Sequence, residues 1–323
     1  MHHNEIDFVK GIAAISVIFL HTLPRFIFED TLAVFHIWQA VPVFLFISFY
    51  LGFRNLEKKK DVIKDYYSKE RFKKMFKRIW LPLLFLAVIE ATFFLVLGNK
   101  EKAIGCLLCY NNGPGSYYIW CYMQIWLLMP AIYLLLKRSG IAVGGGIILT
   151  LGVLLDFLWE RYIDLKPGYT CFRYLYLSVP AFMYLKGFND KRLIPLMVFS
   201  MIYLVLMLYS KVPLYADPIL PNGWEAQTSL GYFYTLGLFI LLSKLYTRLK
   251  ISELKHYITH VGTTSWEVFL IQMVLIGSGV LNISTKLFDS AYLQLTFKVI
   301  VTLTISMLFA EIYKKISGRV FQV

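Results

Sequence analysis

The chain has 323 residues, 58% of them hydrophobic and 16% charged, and carries a net charge of +13. A soluble domain holds about 25% charged residues, so this composition excludes one. Aromatic residues at 17% exclude disorder as well. Most of the excess positive charge lies between apolar runs, so it reads as a topology signal rather than a nucleic-acid surface.

The expected fold is all-α: a polytopic membrane protein of about ten transmembrane helices, forming one integral-membrane domain over 1–323. The apolar runs fall near 8–28, 33–53, 79–98, 117–136, 140–158, 172–187, 193–210, 228–244, 263–282 and 293–312. The first begins with Glu5 and Asp7 and lacks a small-residue cleavage site, so it reads as a span and not a removable signal. Counted by alternate loops with the N-terminus inside, Lys and Arg number 23 on the inner side and 8 on the outer. The positive-inside rule then puts both termini in the cytoplasm, with 53–78 as a basic cytoplasmic segment. Multi-pass insertion in the inner or plasma membrane is the expected localisation.

In the first run, Lys10 and His21 are 11 residues apart, about three helical turns, and so share a face. Their axial separation is roughly 16 Å at about 1.5 Å per residue. Ionisable groups inside a membrane usually face a cavity or a partner. The plainer alternative has Lys10 snorkel and His21 bond to a neighbouring helix. From Arg54 to Arg78 there are 11 basic residues against Glu57, Asp61, Asp65 and Glu70. Most of them suit anionic headgroups. Lys74, Lys77 and Arg78, at i, i+3 and i+4, would also suit the phosphates of a ligand. Glu90 lies 11 residues beyond Ile79, at roughly the depth of His21, where a carboxylate would orient an imidazole.

Cys106 and Cys109 have metal-like spacing, but no second pair or histidine cluster accompanies them, so no metal site is expected. Gly113-Pro114-Gly115-Ser116 predicts a turn that sets down the next helix. Tyr117, Tyr118 and Trp120 follow; they suit a membrane-interface belt or stacking on a sugar ring. Asp156, Glu160 and Arg161 read most simply as an exposed ionic cluster at a helix end, with an acceptor entrance as the alternative. Arg173 opens the following run.

Ile6-Asp7-Phe8-Val9-Lys10-Gly11-Ile12-Ala13 followed by His21 resembles the opening of the membrane acyltransferase-3 family, the integral-membrane O-acetyltransferases of cell-envelope glycans. There an Arg, ten residues and a His mark the first helix; Lys10 stands at the Arg position. Lysine keeps the charge without the bidentate fork. Arg71 to Pro82 is similar to the family's Arg-x-x-Arg segment, with Met75 at the first Arg and Lys74, Lys77 and Arg78 as the nearest cations. Ser116 to Trp120, continuing through Gln124 to Pro130, resembles the entry to its fourth helix. Ser265-Trp266-Glu267-Val268-Phe269-Leu270-Ile271-Gln272 is similar to its late Ser-x-x-x-(Tyr/Phe)-Leu-x-His segment, with Gln272 in the His place. Arg173 stands where the family has a basic residue.

The resemblance implies transfer of an acetyl or other short acyl group from acyl-CoA to a hydroxyl of an envelope glycan or lipid-linked saccharide. Acetyl-CoA would be a co-substrate, with no permanently bound cofactor and no nucleic acid. Lys10, Lys74, Lys77 and Arg78 would hold the donor, and His21 would be the general base, supported by Glu90. An acyl-histidine intermediate is a longer route. Tyr117, Tyr118, Gln124, Arg173 and Gln272 would meet the substrate, with Gln124 or Gln272 as oxyanion donor. A transporter or flippase would share the spans but consume no acyl-CoA. A glycan polymerase would call for longer, more basic outer loops than 211–227, which carries only Lys211.

Overall fold

The computed structural model describes residues 3–24, 26–27, 31–108, 113–162, 170–188, 190–209 and 227–320. Cys109, Arg25, Lys166 and most of the 211–227 loop lie outside them, as do the side chains of Glu160 and Arg161. The described residues are helical, with no strand among them. In chain order the helices are α1 (His3–Thr22), α2 (Ala40–Leu56), α3 (Val62–Tyr66), α4 (Lys69–Met75), α5 (Leu81–Val96), α6 (Lys100–Leu107) and α7 (Tyr117–Tyr162). They continue as α8 (Ser178–Leu185), α9 (Asp190–Tyr209), α10 (Tyr232–Arg248), α11 (Ser252–Thr263), α12 (Ser265–Gly277) and α13 (Ala291–Val320).

Four stretches are long and apolar enough to cross a bilayer: Val62–Val96, Tyr117–Trp159, Ser229–Arg248 and Ala291–Lys315. A fifth is a broken span, Ser265–Gly277 with Val280–Leu287, bent by 60°. α5 shows why such helices belong in lipid. Leu84, Phe85, Val88, Ile89 and Phe93 on one face are exposed, while Leu83, Leu86, Ala87, Glu90, Ala91 and Phe94 on the other are buried. An outward face of large apolar residues is the reverse of a soluble helix and matches hydrocarbon as solvent.

Several expected runs are subdivided. The 117–136 and 140–158 runs are the two arms of α7, which kinks at Gly140 (φ 78°). The 172–187 run opens as a 3₁₀ turn, Phe172–Leu177, before α8. The 263–282 run ends at Gly277, and Gly279 takes the left-handed conformation that starts the bend. The 33–53 run contains a 3₁₀ turn at Ala33–Phe35, and its helix begins only at Ala40.

The chain divides into two compact units. One comprises Met1–Ala33, Ser68–Ser116 and Arg248–Val323; the other comprises Val34–Tyr67 and Tyr117–Thr247. In the first, α1 packs along α11, and α12 packs against α1, α5 and α13. The α1–α11 contact is backbone on backbone. A Cβ on Gly11 would lie 1.9 Å from the Ile258 carbonyl oxygen, and one on Gly262 would lie 1.6 Å from that of Asp7. Small residues at a crossing are what permit such an approach. At the far end of α12, Lys102 Nζ donates to the Gly277 carbonyl at 3.2 Å, a cation on the last turn of a helix.

In the second unit, α2 is buried along most of its length against α7, α8 and the 172–177 turn. Its core is aromatic. Phe46 and Phe239 have ring centroids 4.9 Å apart, and Phe53 lies 5.6 Å from Tyr133. Tyr66 OH donates to the Trp126 carbonyl at 3.0 Å, tying α3 to α7.

Candidate active site

His21 stands in the last turn of α1 and is half-buried. Facing it is the 113–116 turn, closed by a Ser116 N–H to Gly113 carbonyl bond of 3.3 Å. Gly113 and Gly115 hold φ of +99° and +96°, which L side chains rarely adopt. A Cβ on Gly115 would sit 3.3 Å from the Phe269 ring and 3.8 Å from His21 Nε2. One point in space is thus within contact of the turn, an α12 aromatic ring and the imidazole nitrogen. Gly113 is held as tightly, its would-be Cβ 2.3 Å from the Met273 carbonyl oxygen. Sequence analysis read this segment only as a turn; its place beside His21 is a finding of the fold.

Two further polar groups belong to this unit. Glu90 is buried on the inward face of α5, 1% exposed. Gln272, also 1% exposed, lies on α12, the helix that packs against both α1 and α5. Neither of its amide atoms has a hydrogen-bond partner among the described residues, as is also true of the Ser284, Thr302 and Ser306 hydroxyls in this unit. Burying an unpaired amide costs about 1–3 kcal/mol, a cost that a bound water or a ligand would offset.

The cations divide differently from expectation. Lys74 lies in α4, whereas Lys77 and Arg78 lie in a π-helical turn, Phe76–Trp80. The regular i, i+3, i+4 face is therefore interrupted. Pro82 near the start of α5 has no N–H for the Arg78 carbonyl, and Leu81 N–H donates to Phe76, five residues back. Lys74 and Arg78 are exposed and Lys77 half-buried. Tyr313 OH donates to the Lys77 carbonyl at 3.2 Å, pinning this turn to α13. Lys10 Nζ pairs with Asp7 at 2.6 Å, and Lys10, Arg78 and Lys314 all act electrostatically on Glu267.

The remaining predicted residues, Tyr117, Tyr118, Gln124 and Arg173, belong to the second unit, where hydrogen bonds engage all four. Tyr117 shares a hydrogen bond with Tyr174, whose hydroxyl also donates to Gln227. Tyr118 bonds Ser48. Gln124 Oε1 accepts from Cys171 N–H at 2.9 Å, so this amide orders backbone. Arg173 pairs with Asp156 at 3.5 Å, and its carbonyl accepts from Tyr232 OH at 2.8 Å. Asp156 is thus buried, not part of an exposed cluster: the 172–177 turn folds over the end of α7 and brings Arg173 to it. Cys106, Cys121 and Cys171 are buried, and no group of three metal-binding side chains occurs among the described residues.

Neither a curated protein nor a solved structure shows a match to the chain. Residues 3–311 match the acyltransferase-3 family model, described as an acyltransferase domain, and the match takes in both units. The basic residue and histidine of α1, the broken helix α12 and the apolar outer faces therefore belong to a multi-pass membrane protein of the acyltransferase-3 family.

Proposed function

We propose that the chain is an O-acyltransferase that moves an acetyl or other short acyl group from acyl-CoA to a hydroxyl of an envelope glycan or lipid-linked saccharide. The observation that carries this reading is the junction of His21 with Gly115 and Phe269, where the Gly115 backbone comes close against the imidazole nitrogen and the ring. In this reading His21 removes the acceptor hydroxyl proton as the oxygen attacks the thioester carbonyl, and CoA leaves as the thiol. Glu90 supports the imidazole from α5. The unbonded Gln272 amide supplies an N–H to the developing oxyanion. Gln124, already engaged by Cys171, is the weaker choice for that role.

Lys10, Lys74, Lys77 and Arg78 hold the donor phosphates, with both termini on the donor's cytoplasmic side. The acceptor side is given to Tyr117 and Tyr118, whose rings suit a polyhydroxylated ligand. The test is to supply acetyl-labelled acetyl-CoA to the purified protein in detergent with glycan acceptors. Label transfer, or slow hydrolysis lost in His21→Ala, supports the reading. Intact acetyl-CoA across all acceptors, together with solute movement in proteoliposomes, would replace it with a transporter.

A further inference from the structure

Inside a helix a proline removes one N–H and leaves the carbonyl four residues back without its donor. In membrane helices a neighbouring side chain can take that place. Pro130 of α7 does this to Trp126, and Tyr66 OH of α3 donates to the Trp126 carbonyl at 3.0 Å. Pro82 raises the same problem at the start of α5, with one difference. The Leu81 N–H has slipped to Phe76, five residues back, so the π-helical turn offers the Lys77 carbonyl to residue 82, which is the proline. Tyr313 OH of α13 fills that place at 3.2 Å. The Tyr313 ring has separate contacts of its own. It stacks on Phe309 at 6.0 Å and 21°, and Phe309 stacks on Phe85 of α5 at 6.4 Å and 22°.

Two registers compete at this turn. In an α register the Leu81 N–H would return to the Lys77 carbonyl, the same atom that the Tyr313 hydroxyl holds. That change would turn the chain ahead of it by one residue, about 100° about the axis, and carry the basic side chains with it. We propose that Tyr313 is a positioning residue for the donor: its hydroxyl replaces the N–H that Pro82 lacks, keeps the turn in its π register and so fixes the direction of Lys77 and Arg78. The inference rests on the acyl-CoA reading above and adds to it a residue that acts through the backbone. Tyr313 sets how well the phosphates are held and leaves the chemistry at His21 alone.

The test measures binding of CoA, adenosine 3′,5′-bisphosphate and pantetheine by calorimetry, using the full chain in phosphatidylcholine nanodiscs. Tyr313→Phe keeps the ring and removes the hydroxyl. It should weaken CoA and the bisphosphate about tenfold, leave pantetheine unchanged, and raise the acetyl-CoA KM by a similar factor at unchanged kcat. Pro82→Ala should weaken CoA to the same degree, and the double variant no further, because both changes release one register. Size-exclusion profile and thermal unfolding are checked for each. Normal CoA binding in folded Tyr313→Phe overturns the proposal; a loss that appears only in Tyr313→Leu then assigns the residue to ring packing. Additive losses in the double variant, or an equal loss for pantetheine, overturn it as well. If Lys77→Gln or Arg78→Gln weakens CoA while Tyr313→Phe does not, the donor reading stands without it. If the wild type binds neither CoA nor the bisphosphate, both fall. Repetition with phosphatidylglycerol covers the other source of phosphate: weaker retention of that lipid in Tyr313→Phe, with CoA unaffected, assigns the turn to headgroups and also overturns the proposal.

Discussion

The two units treat their buried amides in opposite ways. In the unit of Val34–Tyr67 and Tyr117–Thr247, Gln227 sits in a chain of bonds: Tyr117 on Tyr174, Tyr174 on Gln227 and Gln227 on the Trp38 carbonyl, and Asp156 pairs with Arg173. In the unit that holds His21, Gln272 is buried with neither amide atom engaged, and Gly115 lies close against the imidazole. A closed network specifies a fold, because every member is costly to remove. An amide kept in an apolar setting without a partner lowers stability, and such places are where function is expected. The comparison teaches that Arg173 and Gln124 resemble scaffold, while His21 and Gln272 resemble machinery.

The comparison breaks most visibly at His21. Replacement by alanine should lower turnover about 10²–10⁴-fold while the melting temperature in detergent barely moves. A fall in stability with little loss of turnover would return His21 to packing. Nearly as large, but of the opposite kind, is Asp156→Ala. It leaves the Arg173 guanidinium buried without its counter-ion and should cost about 3–5 kcal/mol, read as loss of monodisperse protein on size exclusion. Restoration by Asp156→Ala combined with Arg173→Met would identify the pair as scaffold; a well-folded but inactive double variant would move it to the acceptor site.

Gln272→Leu sharpens the contrast, since it should raise stability by about 1 kcal/mol while lowering turnover about 10²-fold. A drop in both would show that the amide has a structural partner. The smallest effect is expected at Gly115→Ala. Positive φ and the crowding of Phe269 should cost about 1–2 kcal/mol, and turnover should fall about tenfold as the imidazole is displaced. Unchanged kinetics there would dissociate the turn from the chemistry.

Whatever follows a single helix was legible in the sequence. The Lys10 and His21 spacing, the break between 136 and 140, and the turn at 113–116 are local patterns, and each has its counterpart in the structure. Of the ten runs, the described helices give four stretches long enough to span, or five with the bent pair. Hydropathy averages over turns. It passes across Gly279, across the 3₁₀ start at Phe172 and across the π-helical slip before Pro82. Asp156 was misplaced for a related reason: its burial depends on a turn that folds back 17 residues later. Lys10, Arg78, Glu267 and Lys314 are drawn from four separate segments, and no periodicity in one dimension joins them. Glu267 was on the page as part of a motif, yet only packing gives it neighbours.

The crossing of Gly11 on Gly262 makes α1 a lever. Backbone contact at Gly11 fixes a fulcrum beside Lys10, while His21 rides the free arm ten residues away, about 15 Å along the axis. A tilt of about 5° would leave the lysine nearly still and carry the imidazole more than about 1 Å, a displacement large enough to cost about 10²-fold in rate. The fulcrum cannot supply that accuracy. It has to come from what steadies the arm's tip: a turn of two left-handed glycines and a phenylalanine ring, whose combined stiffness sets the reach of the histidine.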